Sequence, residues 1–430
     1  YDCRSSEAQV FNTIETCYGH LNCVPNRSMK VGYLHLTQSP SLPPSGVTRY
    51  GQKLAAAVGQ RDDLAVCEVT VRLPDQDVSQ GAPQADMALS QQLSQAAQTL
   101  SAVAVVHVQY SQFVWHDNLL PWLRALSMPV VVTLHDMQPH LYPTGSLPRL
   151  LWLANQQQRS LSKRTVLKGG LSLRSTWRQV QRYRCDRTTL KTLTGLAARL
   201  LTCHPTEARR VEAITNSSRL QVIPHFVEPR AALPSQGAAK AALSLSDGVT
   251  VTLQGFIYRT KGHELALRAL AQLPEGFHLV FAGGIVPGNE AFLAHLQRLV
   301  ADLGVAHRLR ITGYLSDVEL DRYLAASDLA LCPFETLSAS GSLSTWVAAG
   351  RPILAAAHSQ IDDYNALAPG AIQTFSPYTP EALAAAIQSN LSRLPHGLTD
   401  VDALQHLRAA LSLNSVAEQH RRCYEAAIGG

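Results

Sequence analysis

The sequence lacks the features that mark several common classes of protein. No apolar run approaches the length of about 18 residues that a membrane-spanning helix needs. The eight cysteines are scattered singly, with no C-x-x-C pair and no Cys/His cluster at the spacing of a zinc site. No G-x-G-x-x-G follows an apolar run and no Walker loop is present, which disfavours dinucleotide and P-loop chemistry. We therefore expect a cytoplasmic protein with mostly reduced thiols.

Charge is also scarce, and it is distributed unevenly along the chain. Charged residues make up 16% of the 430 residues and apolar residues 46%, a composition that supports a large core spread over two or three domains. The net charge of +5 is concentrated in residues 159–191, which hold ten Lys and Arg against a single acidic residue. In that segment Arg174, Arg178 and Arg182 recur every four residues, and Trp177 belongs to an adjacent apolar stripe.

Three interpretations of this basic stripe stay open. It fits an anionic membrane surface, where each basic side chain contributes about 1 kcal/mol. It equally fits a phosphorylated or lipid-linked acceptor, or a helix whose apolar side lies in the core. Nucleic acid is disfavoured as a partner. We assign Arg174, Trp177, Arg178 and Arg182 to an acceptor or membrane side on this basis.

Short apolar runs alternate with longer amphipathic runs, which is typical of parallel α/β layers. The predicted strands of the first half are 31–36, 64–71, 102–108, 129–134, 199–203 and 220–224. Those of the second half are 249–255, 277–283, 308–313, 329–334 and 351–356. The main predicted helices are 47–58, 85–100, 263–273, 290–304, 318–327, 343–350 and 414–428. Two α/β halves with a cleft between them follow, and in such sheets ligands bind beyond the carboxyl ends of the strands.

The same pattern divides the chain into segments. Residues 29–225 form the first expected domain and residues 249–400 the second, joined by a linker at 226–248 that contains several Pro and Gly. Residues 1–28 are expected to be an N-terminal extension of native or non-native origin, because Met29 opens the first apolar strand.

Two strand-end loops of the second half have the composition of a phosphate site. In GFIYRTKGHE (255–264), two glycines permit close backbone approach, and Arg259 and Lys261 are cations suited to a diphosphate. In PFETLSASGSLSTWV (333–347), Ser342 suits the N-cap of a helix, and the free N–H groups at a helix start attract anions. A surface loop and an ordinary serine cap are the alternatives, but the two loops together favour phosphate.

The first half offers fewer candidates. Gly46 opens a helix after the first strand, where a Cβ could obstruct a ligand, and His135 follows the strand at 129–134. A histidine at a strand end can bond a ligand or transfer a proton near neutral pH, although a solitary one is more often structural. Asp75 and Asp77 form an Asp-x-Asp of the kind that chelates metal, but they lie in a polar stretch that reads as a solvated loop.

From about Met29 to about Ile428 the chain resembles the retaining, nucleotide-sugar-dependent glycosyltransferases of family 4, the glycosyl transferases group 1. The matching segments, in the family's order, are PPSGVTRY, VVTLHD, VIPHFVEP, GFIYRTKGHELALRAL, LVFAGG, LRITGYLSDVELDRYLAASDLALCPFE and VAAGRPILA. The last four resemble the family's donor domain most closely. The resemblance implies the GT-B fold, an α/β architecture in which two Rossmann-like α/β/α domains face a central cleft. It also implies that helices within 401–430 cross back to the first domain.

The resemblance implies a role for each matching residue. A nucleotide-diphosphate sugar would bind as co-substrate, with no cofactor and no metal. The residues that would bind its diphosphate are Gly46, Arg259, Lys261, Ser340, Gly341, Ser342 and Leu343. His135 and Glu335 would act in catalysis, because His135 would reach the transferred sugar and Glu335 would approach its hydroxyl groups. Tyr314 and Leu315 would lie on the nucleobase side.

Two departures from the family pattern stand out. The family has two glutamates, of which the second lies five residues before a Gly-x-Pro turn and holds the ribose. Here Thr345 occupies the second position and Leu337 the first, so Glu335 is two residues out of register. In the linker, Phe226 stands where the family commonly has glycine, and we expect a different hinge backbone.

One main functional expectation follows. The chain is expected to be a retaining glycosyltransferase that moves a hexosyl group from a nucleotide-diphosphate sugar to an acceptor hydroxyl, in glycan or glycolipid biosynthesis. The acceptor would be a saccharide, a lipid-linked compound or a small molecule, and the enzyme would be cytoplasmic or peripheral at the inner face of the membrane. Two alternatives remain: a degenerate GT-B protein that binds a nucleotide-sugar or a partner without turnover, and a nucleotide-sugar epimerase.

Overall fold

The structure of the chain is a computed structural model. It describes residues 29–37, 45–73, 83–111, 115, 118–135, 188–215, 217–230, 232–245, 248–286, 288–337, 340–391 and 401–430.

The first unit is a parallel sheet of six strands in the order β2-β1-β3-β4-β5-β6. Its strands are β1 (Met29–Thr37), β2 (Leu64–Arg72), β3 (Val105–Ser111), β4 (Val130–His135), β5 (Arg199–Thr202) and β6 (Leu220–Val222). Its helices are α1 (Gly46–Gly59), α2 (Pro83–Leu100), α3 (Leu119–Ala125), α4 (188–196) and α5 (Pro205–Thr215). β3 and β4 are buried along their whole length, at their polar residues as well as at their apolar ones.

The second unit repeats the design, with six parallel strands in the order β12-β11-β10-β7-β8-β9. Its strands are β7 (Val249–Gln254), β8 (Phe277–Ala282), β9 (Leu309–Ile311), β10 (Leu329–Cys332), β11 (Ile353–Ala356) and β12 (Gln373–Phe375). Its helices are α6 (Gln236–Ala242), α7 (His263–Leu270), α8 (Glu290–Asp302), α9 (Asp317–Ala326), α10 (Gly341–Ala349), α11 (Ser359–Leu367), α12 (Pro380–Leu391) and α13 (Val401–Ala410). The last helix is α14 (Leu413–Ile428).

This architecture confirms the predicted fold class, two Rossmann-like α/β/α units with parallel sheets. Several predicted bounds differ from the observed ones. The strand predicted at 102–108 begins at Val105 and continues to Ser111, and the helix predicted at 343–350 begins at Gly341. The segment predicted as a linker contains α6, whose Gln236 and Lys240 both bond to Asp328 of the second unit.

The order of strands fixes where a ligand site can form. In the second sheet β7 lies between β10 and β8, so chain connections leave β7 in opposite directions on its two sides. Parallel sheets bind ligands at such switch points, beyond the carboxyl ends of the strands. The loops that follow β7 and β10 are the two that the sequence marks as a phosphate site.

The two units are joined by α14 and by a contact between α5 and α11. The backbone N–H of Thr206 donates to the Asp363 carboxylate over 3.1 Å, and Tyr364 Oη lies 3.3 Å from His204 Nε2. α13 packs within the core of the second unit, whereas α14 packs in the core of the first through residues such as Tyr424. Of the two C-terminal helices, therefore, α14 is the one that crosses between units.

Candidate active site

Three loops of the second unit meet with their backbones nearly in contact. Gly255, just after β7, has a φ of +118°, and a Cβ there would lie 2.6 Å from Ser342 Oγ. A Cβ on Gly283, just after β8, would lie 2.1 Å from the Gly255 carbonyl oxygen. A Cβ on Gly262 would lie 2.0 Å from the carbonyl oxygen of Pro333, just after β10. Glycine is required at these positions because any side chain would push the loops apart.

Lys261 is the buried cation that these loops enclose. It ends a 3-10 turn at Arg259–Lys261 and keeps 6% of its surface exposed. Its ammonium donates to Ser342 Oγ over 2.7 Å and lies 3.9 Å above the centre of the Phe334 ring. Among the described residues the ammonium forms no ion pair, and burial lowers the pKa of Lys261 to about 8. A buried ammonium without a carboxylate is well suited to an anionic ligand.

The N-terminus of α10 completes this side of the site, with a correction to the predicted cap. Ser340, not Ser342, is the N-cap residue, and its Oγ accepts the N–H of Leu343 over 3.3 Å. Ser342 is the second residue of the helix, and its hydroxyl accepts a bond from Lys261 instead. The N–H groups of Gly341 and Ser342 belong to the first turn, which no carbonyl of the helix can reach, and N–H groups at such a position can donate to an anion.

Glu335 lies in the loop after β10, one of the loops around Lys261, and the region that these loops enclose is called the pocket below. Its backbone N–H donates to the Thr260 carbonyl over 2.9 Å, and its side chain is exposed. The preceding backbone is held from both sides, since Tyr378 Oη donates to the Pro333 carbonyl over 2.8 Å and His358 Nε2 lies 2.6 Å from the Phe334 carbonyl. Burial raises the pKa of the Tyr378 hydroxyl, and the charge of Glu335 raises it further. The carboxylate is therefore exposed on a rigid loop.

The other donor-side residues predicted in the second unit are Arg259, Tyr314 and Leu315. Arg259 is exposed, with its guanidinium 5.2 Å from the centre of the Phe292 ring. Tyr314 has 80% of its surface exposed, and Leu315 is half-buried beside it. A Cβ on Gly284 would lie 3.2 Å from the Tyr314 backbone nitrogen, so this loop is adjacent to the one after β8. An exposed tyrosine at this edge offers a flat surface to a planar ring.

Gly46 and His135 are the predicted site residues of the first unit. Gly46 is the first residue of α1, capped by Ser45 Oγ, and a Cβ there would meet nothing within 4 Å. His135 ends β4 with 4% of its surface exposed, and its Nε2 lies 2.8 Å from Gln109 Oε1. Burial lowers its pKa to about 3, which keeps the imidazole neutral at physiological pH. Tyr50 packs edge-on against it at 5.0 Å between ring centres.

A group of polar residues next to His135 was not predicted from the sequence. His107, Gln109 and Thr133 are buried side by side, and Tyr424 of α14 reaches His107 from the other side. Period-2 alternation could have predicted this polar face, because His107 and Gln109 alternate with valines along β3.

The two departures from the family pattern also have definite positions. Thr345 is half-buried within the first turns of α10, and Leu337 is half-buried in the loop before it. Phe226 is buried and stacks on Tyr50 at 4.7 Å between ring centres. Phe226 therefore anchors the segment after β6 against α1, where a glycine could not.

Some predicted residues lie outside the described part of the chain. These are Arg174, Trp177, Arg178 and Arg182 of the basic stripe, and Asp75 and Asp77 of the Asp-x-Asp. Within the described ranges, no group of three or more His, Cys, Asp and Glu side chains is arranged to hold a metal ion. No helix in those ranges has both the length and the apolar content to cross a membrane.

The second unit is similar in sequence to known glycosyltransferases. Residues 248–393 match the family model described as Glycosyl transferases group 1. D-inositol 3-phosphate glycosyltransferase of Mycobacterium tuberculosis is 32% identical over 165 residues, which are 37% of this chain. The chain thus spans about a third (34%) of the length of the curated relatives it matches.

Solved structures match nearly the whole chain at low sequence identity. Anabaena HepE in complex with UDP and glucose has a TM-score of 0.63 at 15% identity, covering 92% of this chain and 98% of HepE. Sucrose-phosphate synthase of Thermosynechococcus elongatus has a TM-score of 0.65 at 18% identity, with coverages of 92% and 98%. WaaG, a glycosyltransferase involved in lipopolysaccharide biosynthesis, has a TM-score of 0.59 at 17% identity, with coverages of 94% and 100%. The chain has the GT-B fold of these glycosyltransferases.

Proposed function

We propose that the protein is a retaining glycosyltransferase that moves a hexosyl group from a nucleotide-diphosphate sugar to an acceptor hydroxyl. The observation that carries the proposal is Lys261, a buried ammonium at the N-terminus of α10 that forms no ion pair with a described carboxylate. Such a group gains most from a ligand that brings its own negative charge, as a diphosphate does. The family match over 248–393, which contains this pocket, supports the same chemistry.

The mechanism in this proposal is mainly electrostatic. Lys261, Arg259 and the first N–H groups of α10 stabilise the charge that develops on the departing diphosphate. A diphosphate oxygen on the same face as the acceptor helps to remove the acceptor's proton, so the anomeric configuration is retained. His135, neutral and held by Gln109, bonds a hydroxyl group of the transferred sugar. Glu335 approaches the other hydroxyl groups from the rim of the pocket.

No metal or further cofactor is assigned a role, because cationic side chains and a helix terminus face the diphosphate. We expect transfer to continue at an unchanged rate after treatment with EDTA. Loss of activity that Mg²⁺ or Mn²⁺ restores would contradict metal independence and would direct attention to Asp75 and Asp77.

The donor is proposed to be a UDP-sugar, for which UDP-glucose is the first candidate. Support comes from Anabaena HepE, which shares the fold and has been solved in complex with UDP-glucose. The acceptor is proposed to be part of a glycan or glycolipid, since WaaG of the same fold acts in lipopolysaccharide biosynthesis.

The decisive experiment measures release of nucleoside diphosphate from a panel of nucleotide-sugars, with and without lipid extracts and saccharides as acceptors. We expect release from at least one donor, stimulated by an acceptor, and a product whose anomeric configuration matches the donor. Tight donor binding without release would contradict the proposal in favour of a degenerate binding protein. An isomerised nucleotide-sugar without release would instead indicate an epimerase.

A separate test addresses the basic stripe. We propose that Arg174, Arg178 and Arg182 hold the enzyme at an anionic membrane or at an anionic, lipid-linked acceptor. The full chain should float with vesicles that contain phosphatidylglycerol at low salt and should dissociate at high salt, because exposed charge pairs are screened. The triple variant R174Q/R178Q/R182Q should float less. Absence of flotation at low salt would exclude the membrane contact while leaving the transferase assignment intact.

A further inference from the structure

A row of buried polar side chains crosses the first sheet and ends at His135. His107 and Gln109 alternate with apolar residues along β3, and Thr133 and His135 do the same along β4. Because side chains alternate across a strand and Gln109 pairs with Thr133 in register, all four occupy one face of the sheet. α14 covers that face and brings Tyr424 against His107. Each of these five side chains has at most 4% of its surface exposed.

Hydrogen bonds connect the row without a break. Gln109 Oε1 is 2.8 Å from His135 Nε2, and Gln109 Nε2 is 3.1 Å from His107 Nε2. His107 Nδ1 is 2.8 Å from Tyr424 Oη, which is 2.6 Å from Tyr33 Oη. The chain of bonds therefore runs from the C-terminal helix to the candidate catalytic histidine.

The orientation of the Gln109 amide determines where the protons lie. An amide oxygen accepts and an amide nitrogen donates, so His135 Nε2 carries a proton and His107 Nε2 does not. Thr133 Oγ1 lies 2.8 Å from the same nitrogen. Burial keeps the pKa of His107 well below its ordinary value, so this ring is neutral and its single proton is on Nδ1. That proton is donated to Tyr424 Oη.

The reversed amide would give the opposite result. Its nitrogen would donate to His135 Nε2, which would move the ring proton of His135 to Nδ1. Its oxygen would accept from His107 Nε2, and Tyr424 would then have to donate to His107 Nδ1. The two amide orientations therefore leave a different nitrogen of His135 available to a substrate. Tyr424, the partner of His107 on α14, favours one orientation over the other.

We propose that Gln109 and Tyr424 are positioning residues that hold His135 in its Nε2–H tautomer and leave Nδ1 as the acceptor for a substrate hydroxyl. The inference rests on the proposed function, in which His135 contacts the transferred sugar. In this inference α14 does more than join the two units. Its Tyr424 orients His107, His107 orients the Gln109 amide, and that amide orients His135.

The chain offers a matched pair of variants. Tyr424→Phe and Tyr33→Phe each remove one buried phenolic hydroxyl from the same hydrogen bond and keep the ring. Of these two tyrosines, only Tyr424 is hydrogen-bonded to His107, and Tyr33 is one hydrogen bond further from the imidazole. Gln109→Leu removes both bonds of the amide while keeping a side chain of similar size. Tyr424→Phe still reports if Gln109→Leu fails to fold.

The first test does not depend on turnover. Nitrogen-15 NMR of the full chain labelled at histidine, with the His135 signals identified by their loss in His135→Gln, reports the tautomer directly. We expect the Nε2–H tautomer in the wild type and in Tyr33→Phe, and a mixture of tautomers in Gln109→Leu and Tyr424→Phe. An Nδ1–H tautomer in the wild type, or an unchanged tautomer in both variants, would overturn the proposal. Because this result needs no substrate, it is independent of whether the chain proves to be a transferase.

The second test uses kinetics with the donor and acceptor that the panel identifies. We expect Gln109→Leu and Tyr424→Phe to lower kcat about tenfold, the kinetic equivalent of one neutral hydrogen bond, with donor KM within about twofold. Tyr33→Phe should turn over at the wild-type rate. An unchanged kcat in variants whose tautomer has changed would show that the tautomer does not matter to the reaction and would overturn the catalytic part of the inference. If the wild type has no turnover, the NMR result alone decides.

Discussion

At the scale of single residues, Lys261 links the fold most directly to the proposed chemistry. Its ammonium is buried under three loops, so its charged form has lost most of its solvation. The consequence is a pKa of about 8, well below the ordinary value for lysine. A diphosphate placed beside the ammonium would favour the charged form and raise the pKa again. Binding and protonation of Lys261 are therefore coupled.

We predict that binding of UDP takes up a proton above about pH 8 and weakens as the pH rises further. The sign follows from the two states, because the free protein loses the proton near pH 8 whereas the complex keeps it to higher pH. Calorimetry in two buffers of different ionisation enthalpy measures the uptake. Lys261→Met should abolish the uptake and reduce turnover about a hundredfold, the effect of removing one strong donor to a developing charge.

The matched control is Arg298→Gln, which removes an exposed cation of the same unit outside the pocket. It should leave both the proton uptake and turnover unchanged. Near-wild-type turnover of Lys261→Met at saturating donor would remove Lys261 from the mechanism.

At the scale of secondary-structure elements, a substitution at the start of α10 can change ligand binding without changing the stability of the helix. Gly341 is the first helical residue after the Ser340 cap, and a Cβ there would meet nothing within 4 Å. Proline is well tolerated at this first position because its missing N–H has no partner within the helix. Ser340 has a φ of −101° and a ψ of 107°, extended values that a following proline accepts. The helix should therefore form normally with proline at this position.

We predict that Gly341→Pro leaves the unfolding midpoint unchanged or slightly raised and weakens UDP binding about tenfold, since one backbone donor to the diphosphate is lost. Gly341→Ala is the matched control, because it adds a side chain at the same place and keeps the N–H group. Calorimetric Kd values and urea midpoints for the three proteins provide the comparison. Equal UDP affinity in Gly341→Pro and Gly341→Ala would mean that this N–H group does not contact the diphosphate.

The same helix shows how far the sequence alone could go. Buried parallel strands such as β10 are continuous apolar runs, and Gly255, Lys261 and the helix after them follow from local spacing. The role of the Ser342 hydroxyl does not, because its partner Lys261 lies 81 residues earlier in the chain. Likewise His107 looks like an ordinary strand residue until Tyr424, 317 residues later, is brought against it. Local pattern predicts the elements, whereas long-range pairs decide which polar atoms remain available to a ligand.

At the scale of the whole molecule, buried histidines should control stability toward acid. Among the described residues, five histidines are almost fully buried and have lowered pKa values with burial as the main cause; they are His107, His135, His204, His263 and His420. Burial brings the pKa of His204 and His420 to about 4 and that of His135 and His263 to about 3. In the unfolded chain each would titrate near 6.5. Between these values the unfolded state binds more protons than the folded state.

We predict that the free energy of unfolding falls steeply as the pH drops from 6.5 towards 4. Stability rises with pH wherever the unfolded state binds more protons, and five such groups give a slope of about 7 kcal/mol per pH unit near pH 5. This slope is comparable to the whole stability of a typical domain, about 5–15 kcal/mol, so acid unfolding should begin well above pH 4.5.

Urea midpoints measured from pH 7 to pH 5 test the prediction. His420→Gln should reduce the slope by about one fifth, because it removes one of the five protons. A urea midpoint that stays constant down to pH 5 and falls only below it would contradict the role of the histidines. Acid unfolding would then be assigned to carboxylates such as Glu418, whose bonds to Arg421 and Arg422 lower its pKa to about 2.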